Sequence, residues 1–202
     1  MSASVAIIDS GGANIASLRA ALTRLGADSV VTSDAAVIQR APRVLLPGVG
    51  SAHNAMARLR GCGLDKVIPT LKQPLLGICL GMQILFESSE EGPANGLAIL
   101  PGNVGKLQFA PGLPVPHMGW NQLSQTSADP LLDGVSSLDY VYFVHSFAVP
   151  PGEFTVATTE YGSNFAAVVR RDNFCGTQFH PERSGVVGAR ILANFLKASR
   201  ET

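Results

Sequence analysis

Residues 75–87 (LLGICLGMQILFE) constrain this chain more than any other stretch. Leu75, Leu76 and Ile78 form a short apolar run of the kind a buried strand carries. Met82, Ile84, Leu85 and Phe86 then recur at helical rather than alternating spacing. Between the two runs stands Gly77-Ile78-Cys79-Leu80-Gly81, the G-x-C-x-G form of a nucleophile elbow, a sharp strand-to-helix turn that lifts one side chain to the top of a sheet. The glycines have a steric reason to be there, because a Cβ at Gly77 or Gly81 is expected to strike neighbouring backbone. A helix start also offers backbone N–H groups to an anionic sulfur. The competing reading of Cys79 is a structural thiol in an α/β core.

The chain has 202 residues, enough for one large α/β domain, and we expect a single domain over 1–202. With 46% hydrophobic and 15% charged residues it can fill a core, and the balance of 15 Lys+Arg against 15 Asp+Glu gives no field to attract nucleic acid or an anionic membrane. Neither partner is expected. The three cysteines Cys62, Cys79 and Cys175 form no CxxC pair, and Met1 to Ser4 lead into an apolar strand without a basic n-region. No apolar run approaches the roughly 20 residues of a membrane span. A reduced, cytoplasmic setting is expected.

Four strand–helix alternations precede and include the elbow, which predicts a doubly wound parallel sheet. Val5 to Ile8 reads as a central strand ending in a Gly-rich turn at residues 10–14, and Ile15, Leu18, Leu22 and Leu25 follow on one helical face with Gly26 as a stop. That turn lacks G-x-G-x-x-G, so no nucleotide site is assigned there. Val30 to Thr32 is a second strand and Asp34 caps a short helix. Val44 to Leu46 is a third strand, running into Pro47-Gly48-Val49-Gly50. This turn lacks the Lys-Ser/Thr of a phosphate loop. It is suited to aiming peptide N–H groups at an oxyanion, and is otherwise an ordinary tight connection. Residues 52–71 read as helical with a break at Gly61-Cys62-Gly63. The elbow helix is expected to run on until residues 90–93. Beyond residue 95 short β-type runs separated by Pro and Gly suggest hairpins added to the same domain.

A thiol nucleophile needs a base. Of His53, His117, His145 and His180, none is spaced for zinc with the cysteines, and no metal or cofactor is expected. His180 ends the apolar run Gln178-Phe179-His180, and Glu182 lies two residues on, the same side of an extended chain. Pro181 stiffens the pair. A carboxylate beside an imidazole fixes its tautomer and raises its basicity, the orienting role in a Cys-His-Glu triad. By itself His-Pro-Glu also reads as a loop ion pair.

Taken together, Pro47-Gly48-Val49-Gly50, Gly77 to Gln83 and Gln178 to Glu182 resemble the triad (class I) glutamine amidotransferases. The stretches His117-Met118-Gly119-Trp120-Asn121 and Tyr142 to Phe147 are similar to a branch that feeds ammonia to a cyclase of histidine biosynthesis. The resemblance spans nearly the whole chain. It implies a flavodoxin-like α/β fold, with a mixed, mostly parallel central sheet flanked by helices and β-hairpins added in the C-terminal half. It implies that Cys79 attacks the side-chain amide of L-glutamine, that His180 moves the proton and that Glu182 orients His180. Gly48, Val49, Gly50 and Leu80 would form the oxyanion hole, with regulation at that turn. Gln83, Glu91, Ser146 and Phe147 match positions that contact glutamine. The implied partner is a (β/α)₈-barrel cyclase subunit, in a heterodimer, met by Asn14, Trp120, Asn121, Tyr142 and Arg183. Phe147 stands where tyrosine is frequent, so its backbone rather than its ring is expected at the substrate. Arg183 replaces a frequent lysine, which alters the geometry of any ion pair with the partner. A glutaminase serving another acceptor, or a thiol sensor of the same architecture, are the alternative readings.

Overall fold

The computed structural model describes residues 4–10, 15–92, 94–108 and 112–198, leaving aside the side chains of Gln125 and Thr126. In chain order the first half contains β1 (Val5–Ile8), α1 (Ile15–Arg24), β2 (Ser29–Thr32), α2 (Ala35–Arg40), β3 (Val44–Gly48), α3 (Ala52–Gly61), α4 (Leu64–Val67), β4 (Leu75–Cys79) and α5 (Leu80–Gln83). The second contains β5 (Ser88–Ser89), β6 (Ala94–Asn95), β7 (Asn103–Lys106), β8 (His117–Gln122), β9 (Gln125–Thr126), β10 (Tyr140–His145), β11 (Phe147–Ala148), β12 (Thr155–Tyr161), β13 (Ser163–Arg171), β14 (Phe174–Thr177) and α6 (Gly185–Lys197).

Among the described residues the main sheet runs β2-β1-β3-β4-β14-β13-β12-β9. The pairs from β2 to β14 are parallel and those from β14 to β9 antiparallel. The C-terminal strands therefore extend the sheet that the first half begins. Strands buried on both faces need apolar residues at every position, and β1, β3, β4 and β14 are buried throughout. Ala6, Ile8, Val44 and Leu46 face one layer, with Ile38 of α2 and Met56 and Leu59 of α3. Val5, Ile7, Leu45 and Leu76 face the other, with Leu18 and Leu22 of α1 and Ile191 and Phe195 of α6.

Local chemistry sets the ends of these helices. Asp34 accepts from the N–H groups of Ala36 and Val37 at 2.7 and 3.4 Å, which caps α2. Gly26 at φ +74° closes α1, with Ala27 N–H bonded to the Leu22 carbonyl. The expected break at Gly61-Cys62-Gly63 separates α3 from α4.

Two features depart from the sequence reading. The elbow helix does not reach residues 90–93; α5 is a single turn ending at Gln83. A returning segment takes the carbonyls that a longer helix would use: Leu97 N–H bonds Ile84 O at 2.8 Å and Ile99 N–H bonds Leu85 O at 2.9 Å. The second departure is a small sheet, β11-β7-β5-β6, in which β5, β6 and β7 come from residues with no strand pattern, including the Gly-rich run at 102–106. A separate antiparallel pair joins β8 and β10, with His117 opposite His145 and Trp120 opposite Tyr142. None of the described helices is long and apolar enough to cross a membrane.

Candidate active site

Cys79 sits at the last position of β4 with φ 54° and ψ −110°, a conformation that L-residues rarely adopt. Backbone packing around it explains the glycines. A Cβ on Gly77 would lie 2.6 Å from the Gly81 carbonyl oxygen, and one on Gly81 would collide with the carbonyl of Leu46 in β3. One on Gly48 would lie 2.8 Å from the Gly81 nitrogen. In the β3–β4 register Gly48 is the partner of Cys79, so the Gly48-Val49-Gly50 turn lies directly beside the sulfur. Gly50 has φ +87°, and Ser10 anchors the strand behind the turn by donating to the Pro47 carbonyl.

β14 lies against β4 on the other side, and the chain leaves it through Gln178 and Phe179 to His180. His180 Nδ1 donates to Glu182 Oε1 at 2.8 Å, with the two side chains 5% and 2% exposed. The tautomer this fixes leaves Nε2 as the ring nitrogen available to Cys79, which lines the same cavity. Burial opposes a charge on this imidazole. The hydrogen bonds to Cys79 and Glu182 and the charges of the same two groups outweigh burial and raise its pKa to about 10. Ser184 locks the segment, donating to His180 O at 2.7 Å and accepting from Tyr142 N–H at 2.9 Å.

A cavity of about 380 Å³ opens over these groups, within the size range of small-molecule sites. Its lining brings together Gly48, Val49, Gly50, Cys79, Leu80, Gln83, Glu91, Ser146, Phe147, His180 and Arg183. Glu91 is tied to the start of α3 by accepting from Ala52 N–H at 3.0 Å. Burial raises its pKa, with that hydrogen bond acting in the opposite sense. Gln83 donates to the Phe147 carbonyl at 2.7 Å and to Gln178 Oε1 at 3.0 Å.

The residues expected at a partner separate into three groups. Trp120, 56% exposed, meets Tyr142 edge to face at 6.0 Å, and the Arg183 guanidinium lies 5.8 Å from the centre of the Tyr142 ring. These three share one outward face. Asn121 points the other way, its amide nitrogen near His117 at 3.3 Å and donating to Glu160 O at 3.0 Å. Asn14 lies outside the described residues.

Sequence reasoning passed over Gln178, His117 and His145 as site residues. Gln178 donates towards the Cys79 sulfur at 3.8 Å, and its place two residues before His180 on the strand exit was the available signal. Among the described residues no group of three or more His, Cys, Asp or Glu side chains is arranged to hold a metal. Cys62 is exposed, Cys175 is buried, and neither is in a disulfide.

Residues 6–198 match the family model for glutamine amidotransferase class-I. The chain is 54% identical over 193 residues to the imidazole glycerol phosphate synthase subunit HisH of Xylella fastidiosa strain 9a5c, covering 96% of each. It is 46% identical to the protein of that name from Colwellia psychrerythraea, over 97% of this chain and 93% of that one. A crystal structure of a glutamine amidotransferase, 18% identical, superposes with a TM-score of 0.74 over 96% of this chain and 97% of the other.

Proposed function

This chain belongs to the class I glutamine amidotransferases and, within them, to the family of the HisH subunits of imidazole glycerol phosphate synthase, and from that premise we propose how its residues do the chemistry. L-glutamine enters the cavity over Cys79. His180, already protonated with its pKa near 10, holds the thiol's proton on Nε2 while the sulfur attacks the side-chain amide carbon, and Glu182 keeps the imidazolium in place. The oxyanion is stabilised by backbone N–H groups of Leu80 and the Gly48-Val49-Gly50 turn. His180 then gives the proton to the departing nitrogen, which leaves as ammonia. Water, deprotonated by the same ring, cleaves the γ-glutamyl thioester to L-glutamate. Gln83, Glu91, Ser146 and the Phe147 backbone hold the substrate.

The observation that carries this reading is a single buried imidazole that is hydrogen-bonded to Glu182 and shares one cavity with Cys79. A redox-sensing thiol has no use for that buried carboxylate.

The ammonia passes to a (β/α)₈-barrel cyclase subunit that makes imidazole glycerol phosphate and an aminoimidazole carboxamide ribonucleotide in histidine biosynthesis. Ammonia is mostly protonated and non-nucleophilic near neutral pH, so a covered path between the subunits suits the chemistry. The cyclase docks on the face of Trp120, Tyr142 and Arg183, where Met118 and Tyr140 add exposed apolar surface at 66% and 54%. The whole chain acts as one domain, in a reducing cytoplasm. The test is glutamate release from L-glutamine, measured with and without the cyclase and its nucleotide ligand. Release should rise with the complete complex and vanish in Cys79→Ala. Undiminished release in that variant rejects the mechanism.

A further inference from the structure

The strands β8 and β10 carry two faces. Outward, Met118, Trp120, Tyr140 and Tyr142 form the exposed apolar surface. Inward, the same strands place His117 and His145 opposite each other, 3% and 6% exposed. Pleating alone makes this division, since alternate residues of a strand face opposite sides.

The two rings form one directed chain of hydrogen bonds. His145 Nδ1 lies 2.8 Å from the Phe147 carbonyl, which can only accept, so that nitrogen carries the hydrogen. His145 Nε2 is 3.0 Å from His117 Nδ1, which must then be the donor. His117 Nε2 is left to accept from the Asn121 amide nitrogen at 3.3 Å. Asn121 is held in that orientation because its oxygen accepts from Gln122 N–H at 2.8 Å and its nitrogen also donates to Glu160 O. Every step has one consistent tautomer. His117 is moreover sandwiched between Phe143 and Tyr161, with ring centres at 4.8 and 3.9 Å, and cannot tilt without losing both stacks. An apolar box of this shape would accept phenylalanine. Two polar rings buried there need another explanation than filling space.

The chain ends where substrate is expected. The Phe147 carbonyl accepts both from His145 and from Gln83, and Gln83 leads through Gln178 to the Cys79 sulfur. We propose that Asn121, His117 and His145 form a neutral hydrogen-bonded strut between the back of the docking face and the glutamine pocket, with His117 and His145 as positioning residues that set Phe147 and Gln83 for the substrate. The proposal rests on the glutaminase reading. A partner pressing on Trp120 and Tyr142 moves the strands that hold the strut, and so alters substrate binding without touching the sulfur.

The experiment uses the full chain in complex with its cyclase. His145→Phe removes the donor and keeps the ring, and should raise the KM for glutamine about tenfold or more while kcat at saturation stays within about threefold. His145→Asn keeps a donor at the Nδ1 position and should recover most of that loss. His117→Phe should raise KM by a smaller factor. An unchanged KM in His145→Phe, or equal losses in the Phe and Asn variants, overturns the strut. A second measurement needs neither catalysis nor variants: nitrogen-15 spectra of the free chain at neutral pH should show both rings neutral with the hydrogen on Nδ1. Either ring bearing it on Nε2 overturns the proposal. Failure of the glutaminase reading shows separately, as glutamate release that survives Cys79→Ala.

Discussion

The parallel and antiparallel halves of this molecule hold the candidate site by different physics. On the parallel side, β3, β4 and the elbow approach so closely that Gly48, Gly77 and Gly81 have no room for a Cβ. Position there is fixed by backbone sterics, and it fails when an atom is added. On the other side, from the end of β14 through the antiparallel strands, His180, Glu182 and Phe147 are held by hydrogen bonds of 2.7–2.8 Å, one of them reaching Phe147 from Gln83 of the elbow helix. That arrangement fails when an atom is removed. The proposed nucleophile and oxyanion turn lie on the side that tolerates little motion. The proposed base, substrate wall and docking face lie on the side that can be adjusted.

The sharpest break of this division is Cys79→Ala. It should lower glutamate release by about 10⁴-fold or more, with unfolding stability changed by less than about 1 kcal/mol. Glu182→Gln keeps the shape of the antiparallel arm and removes its charge; a loss of about 10²–10⁴-fold in kcat with little change in KM is expected in steady-state kinetics. Gly81→Ala attacks the parallel side by addition. Its Cβ collides with the Leu46 carbonyl, so chemical denaturation should show a loss of about 3 kcal/mol or more, and an unchanged midpoint would refute the steric account.

Smallest per pH unit is the dependence of stability on pH, which rests on His117, His145 and His180. Burial lowers the pKa of His117 to about 4. For His145 burial, outweighing its hydrogen bond to Phe147 and aided by the neighbouring histidines, lowers it to about 3. Both rings stay neutral in the fold while the unfolded chain takes up protons below its ordinary 6.5, so stability falls as pH drops from there towards 4. His180 behaves in the opposite sense. With its folded pKa at about 10, its contribution is complete below 6.5 and is lost as pH rises through 10. Thermal unfolding scans should therefore show a maximum near pH 6.5, with slopes of about 2.7 kcal/mol per pH unit below it, from two rings, and about 1.4 above it, from one. A plateau from pH 5 to 9 would contradict both assignments.

Legibility in the sequence followed the same division. The parallel strands are buried on both faces and read as unbroken apolar runs. Asp34, Gly26 and the Gly61–Gly63 break are signals that act within one turn of helix. Cys79, His180 and Glu182 were also readable, because an elbow and an i, i+2 pair are local patterns. The length of α5 was not, since Leu97 and Ile99 lie more than ten residues beyond the carbonyls they occupy. Strands β5, β6 and β7 of the small sheet were invisible for a related reason: at two to four residues they have no period to detect, and pairing alone defines them.

By itself the sequence determined the elbow and the four opening strand–helix units, and it named the residues proposed to react, because each depends on contacts a few residues apart. The tertiary structure alone decided that Gly48 is the neighbour of Cys79, that His180 shares a cavity with Cys79 and that Asn121 turns inward while Trp120 faces out. Those facts depend on strand order, register and pleat, and no short window of residues carries them.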